Sequence, residues 1–160
     1  MTLPAISKGK CGFTLIELLI VIGITLALVV VAIPIYGNLQ VSSQLNDSMD
    51  QIVQTLRTAR ERSIARRNDS MHGVYFEINA PGDDRFILYQ GDSFATRDSN
   101  YDRALTLSSS IMLSTTLSGD EVSFSKSFGG PNATGTVILT HDAQGARTVT
   151  ITRIGSIFGQ

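Results

Sequence analysis

The chain has no tryptophan, two histidines and one cysteine, Cys11. A lone cysteine excludes an intrachain disulfide and a cysteine-built metal site. His72 and His141 are the only near-neutral acid–base groups, and neither stands in a metal-ligand spacing. No serine sits in a nucleophile-elbow context, so nothing in the chain points to an enzyme, a cofactor or a metal. Basic charge is not in excess: 13 Lys and Arg face 14 Asp and Glu, a net charge of −1, which makes nucleic acid an unlikely partner. There is no internal repeat and no low-complexity tract. The most informative absence is positional, because after Glu17 no charged residue occurs until Asp47.

That uncharged stretch begins Gly12-Phe13-Thr14-Leu15-Ile16-Glu17-Leu18-Leu19-Ile20-Val21-Ile22. An acidic residue at mid-helix in a bilayer costs roughly 2.5–3.5 kcal/mol, so a carboxylate kept there normally has a partner and a function. Lys8 and Lys10 precede Cys11-Gly12, and a cut after Gly12 would place a cationic α-amino group on Phe13. Leu18 to Ile33 is apolar or small throughout, and Tyr36 extends the run. A bilayer span needs roughly 20 such residues, so Phe13 to Tyr36 is long enough. An ordinary secretory signal would also place basic residues before an apolar stretch. Glu17 near the start of that stretch, the lack of an Ala-x-Ala site and Pro34 close behind Ala32 argue against one.

Lys-x-Lys-Cys-Gly followed by Phe-Thr-Leu-Ile-Glu-Leu-Leu-Ile-Val-Ile resembles the prepilin leader and N-terminal helix of type IV pilins and type II secretion pseudopilins. The resemblance implies cleavage between Gly12 and Phe13 by a membrane prepilin peptidase, N-methylation of Phe13, and an assembly role for Glu17 at the fifth mature position. It also implies a single-pass protein of the bacterial inner membrane, with Lys8 and Lys10 cytoplasmic and a periplasmic head. Its partners would be lipid, the inner-membrane assembly platform and other pilins or pseudopilins in a filament. Removing the leader would take away Cys11 and both lysines, leaving 11 basic against 14 acidic side chains and a net charge near −3.

Past the apolar run, Leu45, Met49, Ile52, Leu56 and Ala59 recur at spacings of four and three, the period of a helix with one buried face. Helix-compatible sequence extends to about Arg67, interrupted by Gly37 and by Pro34, where a kink is expected. Beyond Ser70 the period changes to two. Residues 73–78 and 85–89 flank Ala80-Pro81-Gly82 as a hairpin, and 136–140 and 147–152 form a second pair. Residues 105–107, 111–113 and 122–124 are weaker strand candidates. A sheet with one apolar face must bury it, and the stripe from Leu45 to Ala59 is the available cover. The expected class is therefore α+β and pilin-like: a leader over 1–12, an apolar half-helix over 13–36, and a head over 37–160 made of helix 37–67 and an antiparallel sheet within 73–155.

The run Ala59-Arg60-Glu61-Arg62-Ser63-Ile64-Ala65-Arg66-Arg67-Asn68, with Phe124, Gly129 and the ending from Gly135 to Gly155, resembles the GspH/FimT branch of pseudopilins. It implies a minor pseudopilin of a type II secretion system, whose filament drives protein export. The alternatives are a FimT-like minor pilin of a type IV pilus and a membrane-tethered binding module. Some FimT-type relatives bind DNA through a basic C-terminal tail, but here no arginine follows Gly155. The basic cluster Arg57, Arg60, Arg62, Arg66 and Arg67 otherwise reads as a solvated helix end. Asp92, Asp98 and Asp102 are too widely spaced for an EF-hand loop.

Overall fold

The computed structural model describes residues 12–79, 83–142 and 144–160, and the side chains of these outside 31–38. Lys8, Lys10, Cys11 and the turn residues Ala80-Pro81-Gly82 lie outside the described residues. The chain divides into two compact units, one ending at Gly37 and the other running Asn38–Gln160.

Among the described residues of the first unit the regular structure is one helix, α1 (Leu15–Ile64), which continues into the second. In the first unit every large apolar side chain described from Phe13 to Val30 is exposed. Among the described residues no helix is long and apolar enough to cross a membrane. Pro34 and Gly37 fall inside α1 rather than at an end. The kink expected at Pro34 falls within 31–38, whose side chains lie outside the described residues.

The second unit is α+β. Leu45, Ile52, Leu56 and Ala59 on α1 are completely buried, and Met49 packs against the same core. Among the described residues eight strands follow: β1 (His72–Glu77), β2 (Arg85–Gln90), β3 (Arg103–Thr106), β4 (Met112–Thr115), β5 (Glu121–Phe124), β6 (Gly135–His141), β7 (Gly145–Ile151) and β8 (Ile157–Gly159). They form two antiparallel sheets, not one, in the orders β3-β2-β1-β5 and β4-β6-β7-β8. Alternate residues enter the common core: Val74 and Phe76, Phe86 and Leu88, Val122 and Phe124 from the first sheet, and Leu113, Leu139, Val149 and Ile151 from the second.

The sheets exceed the expected limits of 73–155. β8 lies beyond them, and only Ile157 of its three residues is buried, which leaves too short an alternation to stand out in sequence. The two weak candidates around 105 and 113 part company: β3 extends the first hairpin from β2, and β4 pairs with β6. Asp84, 7 % exposed, ties this division together. Its carboxylate accepts from the backbone N–H of Asn79 at 2.8 Å and of Leu113 at 2.7 Å, linking the β1–β2 connection to the start of the other sheet.

The helix stops at Ile64 instead of continuing to Arg67. Arg66, Asn68 and Asp69 adopt left-handed backbone angles, with φ of 50°, 54° and 47°, conformations to which Asn and Asp are the most tolerant non-glycine residues. Ser63 makes the exit specific. Its buried hydroxyl accepts from His72 N–H at 2.8 Å and donates to Ala59 carbonyl at 3.0 Å, joining the last helical turn to the start of β1.

Candidate functional site

The expected processing and assembly residues meet at the start of α1. Gly12, Phe13 and Thr14 are exposed and precede the helix, which begins at Leu15. Thr14 Oγ1 accepts a 3.3 Å hydrogen bond from Glu17 N–H, satisfying one of the donors a helix start leaves unpaired. Threonine followed three residues later by glutamate is the capping-box spacing, a signal legible in sequence. Glu17 lies in the first turn, where the positive end of the helix dipole favours a carboxylate. Thus Glu17 has a local reason to be placed there in addition to any partner. Around it Leu15, Ile16, Leu18, Leu19 and Ile20 are all more than half exposed. A continuous apolar surface of this kind marks a site of contact with membrane or protein.

At the far end of α1 the basic cluster divides into two sets. Arg57 Nη2 donates to Ile157 carbonyl at 3.1 Å, and Arg60 Nε donates to Gly129 carbonyl at 3.0 Å. These two arginines therefore lace the helix to the first residue of β8 and to the loop before β6. Gly129 and Gly155 have φ of 64° and 77°. A Cβ on Gly155 would come 2.7 Å from Gly129 carbonyl oxygen and 2.8 Å from Arg60 Nε. The arginine and glycine spacing seen in the sequence is thus a packing interlock. Arg66 pairs with Asp69 at 3.1 Å, on the surface.

Arg62, Arg67 and Arg103 form the second set. Burial lowers the Arg62 pKa, and the like charges of Arg67 and Arg103 lower it further. The same end of the molecule holds His72, which is only 2 % exposed. Its pKa lies below the ordinary 6.5, first because it is desolvated and then because Arg62 repels its charged form. His72 is therefore a neutral, largely structural group near neutral pH, at the start of β1 beside the Ser63 link. His141 ends β6.

The loop from Gly91 to Asp102 is held by its own side chains and by Tyr75, Tyr89 and Glu121 of the first sheet. Phe94 stacks on Tyr75, with centroids 3.9 Å apart, and meets Tyr89 edge-on at 5.8 Å. The Arg97 guanidinium lies 3.6 Å from the centre of the Phe94 ring, and its Nε donates to Asp102 at 2.7 Å. Glu121 receives both Tyr89 hydroxyl, at 2.9 Å, and Phe94 N–H, at 2.7 Å. Burial, then Glu121, raises the Tyr89 pKa above its ordinary value. Asp98 accepts from Asn100 backbone and side chain. Asp98 and Asp102 are thus engaged within the loop, and among the described residues no group of three or more His, Cys, Asp or Glu side chains could hold a metal. Asn132 accepts from Ser123 N–H at 2.8 Å to tie its loop to β5.

The fold is an α+β unit, and the chain before it carries the exposed apolar start of α1. Residues 7–33 match the family model described as the prokaryotic N-terminal methylation motif, the type IV pilin-like prepilin leader. No curated protein and no solved structure matches this chain. The N-terminus is therefore type IV pilin-like, and a motif of this kind goes with prepilin peptidase processing and assembly with other pilins.

Proposed function

We propose that the chain is a minor pseudopilin of the GspH kind in a type II secretion system, working by assembly rather than by catalysis. The observation that carries this reading is the exposed apolar surface from Phe13 to Val30, whose one charge is Glu17, within the methylation-motif match. In this reading prepilin peptidase cuts Gly12–Phe13 and Phe13 is methylated. The protein first stands as a single-pass inner-membrane subunit with its head in the periplasm. It then leaves the bilayer through the assembly platform and packs its apolar half-helix against those of other pseudopilins.

Burying that surface away from water contributes about 25 cal/mol per Å², and less when the alternative is lipid. Glu17 then neutralises the Phe13 amine of its own or a neighbouring subunit. Removing one member of a buried ion pair costs about 3–5 kcal/mol, enough to govern whether a subunit enters the filament. The interlock of Arg60, Gly129 and Gly155 gives a shared packing role to residues that carry the GspH/FimT resemblance.

Intact mass of the protein from its native host tests the reading. The expected mass lacks residues 1–12 and carries one additional methyl group. Gly12→Val, which enlarges the smallest side chain at the cut, should leave the precursor whole. A native chain beginning at Met1 or at Ile33 would refute the assignment.

A further inference from the structure

We propose that the groove between α1 and the free edge of β3 takes an extended acidic peptide segment of a partner protein, added as a fifth strand to the first sheet with its carboxylates on Arg62, Arg67 and Arg103. β3 pairs with β2 alone and is the last strand of its sheet, so its outer edge offers unpaired main-chain groups. Opposite one another across β2 and β3 stand Phe86 with Leu105 and Leu88 with Arg103. Phe86 and Leu88 are core residues, so Leu105 and Arg103 continue the core face of the sheet. Leu105 is partly buried there and Arg103 is exposed, so the face passes from apolar to cationic at the open edge of the sheet.

A groove of about 380 Å³ opens at this point. Gln51, Gln54, Thr55 and Thr58 of α1 line one side, and Leu88, Leu105 and Arg103 line the other. Arg62 follows Thr58 one turn further along the same helical face, and Arg67 lies in the turn beyond. Among the described residues the ion pairs of the molecule use Arg66, Arg85, Arg97 and Lys126. Arg62, Arg67 and Arg103 are in none of them. Arg62 is held below its ordinary pKa first by burial and then by the like charges of Arg67 and Arg103.

The occupant follows from these features. The open edge offers main-chain pairing, leucines give alternate side chains an apolar seat, and glutamine and threonine offer hydrogen bonds to amides; together they fit an extended peptide. Arginines at one end select carboxylates, which they can grip with two parallel bonds. A net charge of −1 for the whole chain makes the attraction local and unsuited to a long polyanion. All of these residues lie between positions 51 and 105, so the inference stands or falls independently of leader cleavage.

The test uses the full chain in detergent micelles and a short fluorescent peptide of alternating valine and glutamate, followed by anisotropy. Binding is expected, with affinity falling by about tenfold or more in Arg103→Glu and decreasing between about 50 and 200 mM salt. Arg67→Glu, at an exposed turn, should show a loss of the same sign without risk to the fold. Amide hydrogen exchange at 103–106 should slow in the complex, which simple surface attraction would not cause. The inference is overturned by no binding, by equal binding of a valine–lysine peptide, or by tighter binding of a single-stranded oligonucleotide. Unchanged affinity in the two variants, or unchanged exchange at β3, would overturn it equally.

Discussion

At the residue scale, Glu17 carries two separable duties. Its backbone N–H is held by Thr14 at 3.3 Å, and its carboxylate is what assembly requires under the proposed function. Glu17→Leu keeps the backbone bond and suits lipid better, so insertion and cleavage should be unimpaired while crosslinking to filament neighbours falls. Glu17→Asp, one methylene shorter with its charge intact, should fall between. Undiminished crosslinking in Glu17→Leu would remove the assembly role and leave the helix-start role alone. His72 makes a pH prediction. Its folded pKa lies below the ordinary 6.5 because of desolvation and then Arg62. Below about pH 6.5 the unfolded chain binds a proton that the folded chain refuses, so this contribution is whole above that value and is lost as the pH falls through the folded pKa. The urea midpoint should decline from pH 7.5 toward pH 5, and His72→Gln should flatten the decline. An equal slope in the variant would place the effect elsewhere.

At the element scale, the end of α1 is fastened by groups that sequence periodicity does not register. Ser63 joins the last turn to β1, while Arg57 and Arg60 reach carbonyls far along the chain. Two glycines with similar backbone angles separate packing from conformation. Gly155 has φ 77° and a Cβ there would strike Gly129 carbonyl oxygen at 2.7 Å, whereas Gly119 has φ 71° and nothing within 4 Å. Gly119→Ala should cost only the left-handed backbone penalty, about 1 kcal/mol. Gly155→Ala should cost more, about 2–4 kcal/mol, since the Arg60 interlock must also move. Chemical denaturation of the two variants measures the difference, and equal losses would mean that the interlock contributes nothing.

At the scale of the whole molecule, the two units place different demands on solvent. The second unit buries the stripe from Leu45 to Ala59 under its own sheets, while the described apolar residues from Phe13 to Val30 remain uncovered. Deleting residues up to 38 should therefore give a soluble monomer, read by light scattering. Extending the deletion to Ala65 removes Leu45, Ile52, Leu56 and Ala59 from the core and should produce aggregation. If the chain starting after Ala65 folds as well as the longer one, α1 is dispensable to the head.

Some of this was open to reading because it depends on local chemistry. A glycine, an acidic residue and an uncharged apolar stretch at fixed spacing identify the N-terminal motif without any fold, and the 4–3 spacing of Leu45, Met49, Ile52, Leu56 and Ala59 identifies the buried helix face. The first hairpin and the β6–β7 pair were legible for the same reason, since alternation and turn residues lie side by side in the chain. The division into two sheets was not, because hydrogen bonds between β4 and β6 join residues far apart, and strands of four residues alternate alike in either sheet. Nor could the sequence separate Arg57 and Arg60, which serve packing, from Arg62 and Arg67, which stand in no ion pair among the described residues, or show that Arg103 of a distant strand acts on Arg62 as a like charge. Residue type and spacing determine what a segment can become, whereas the partner of each charge and each strand edge depends on contacts that only tertiary folding brings together.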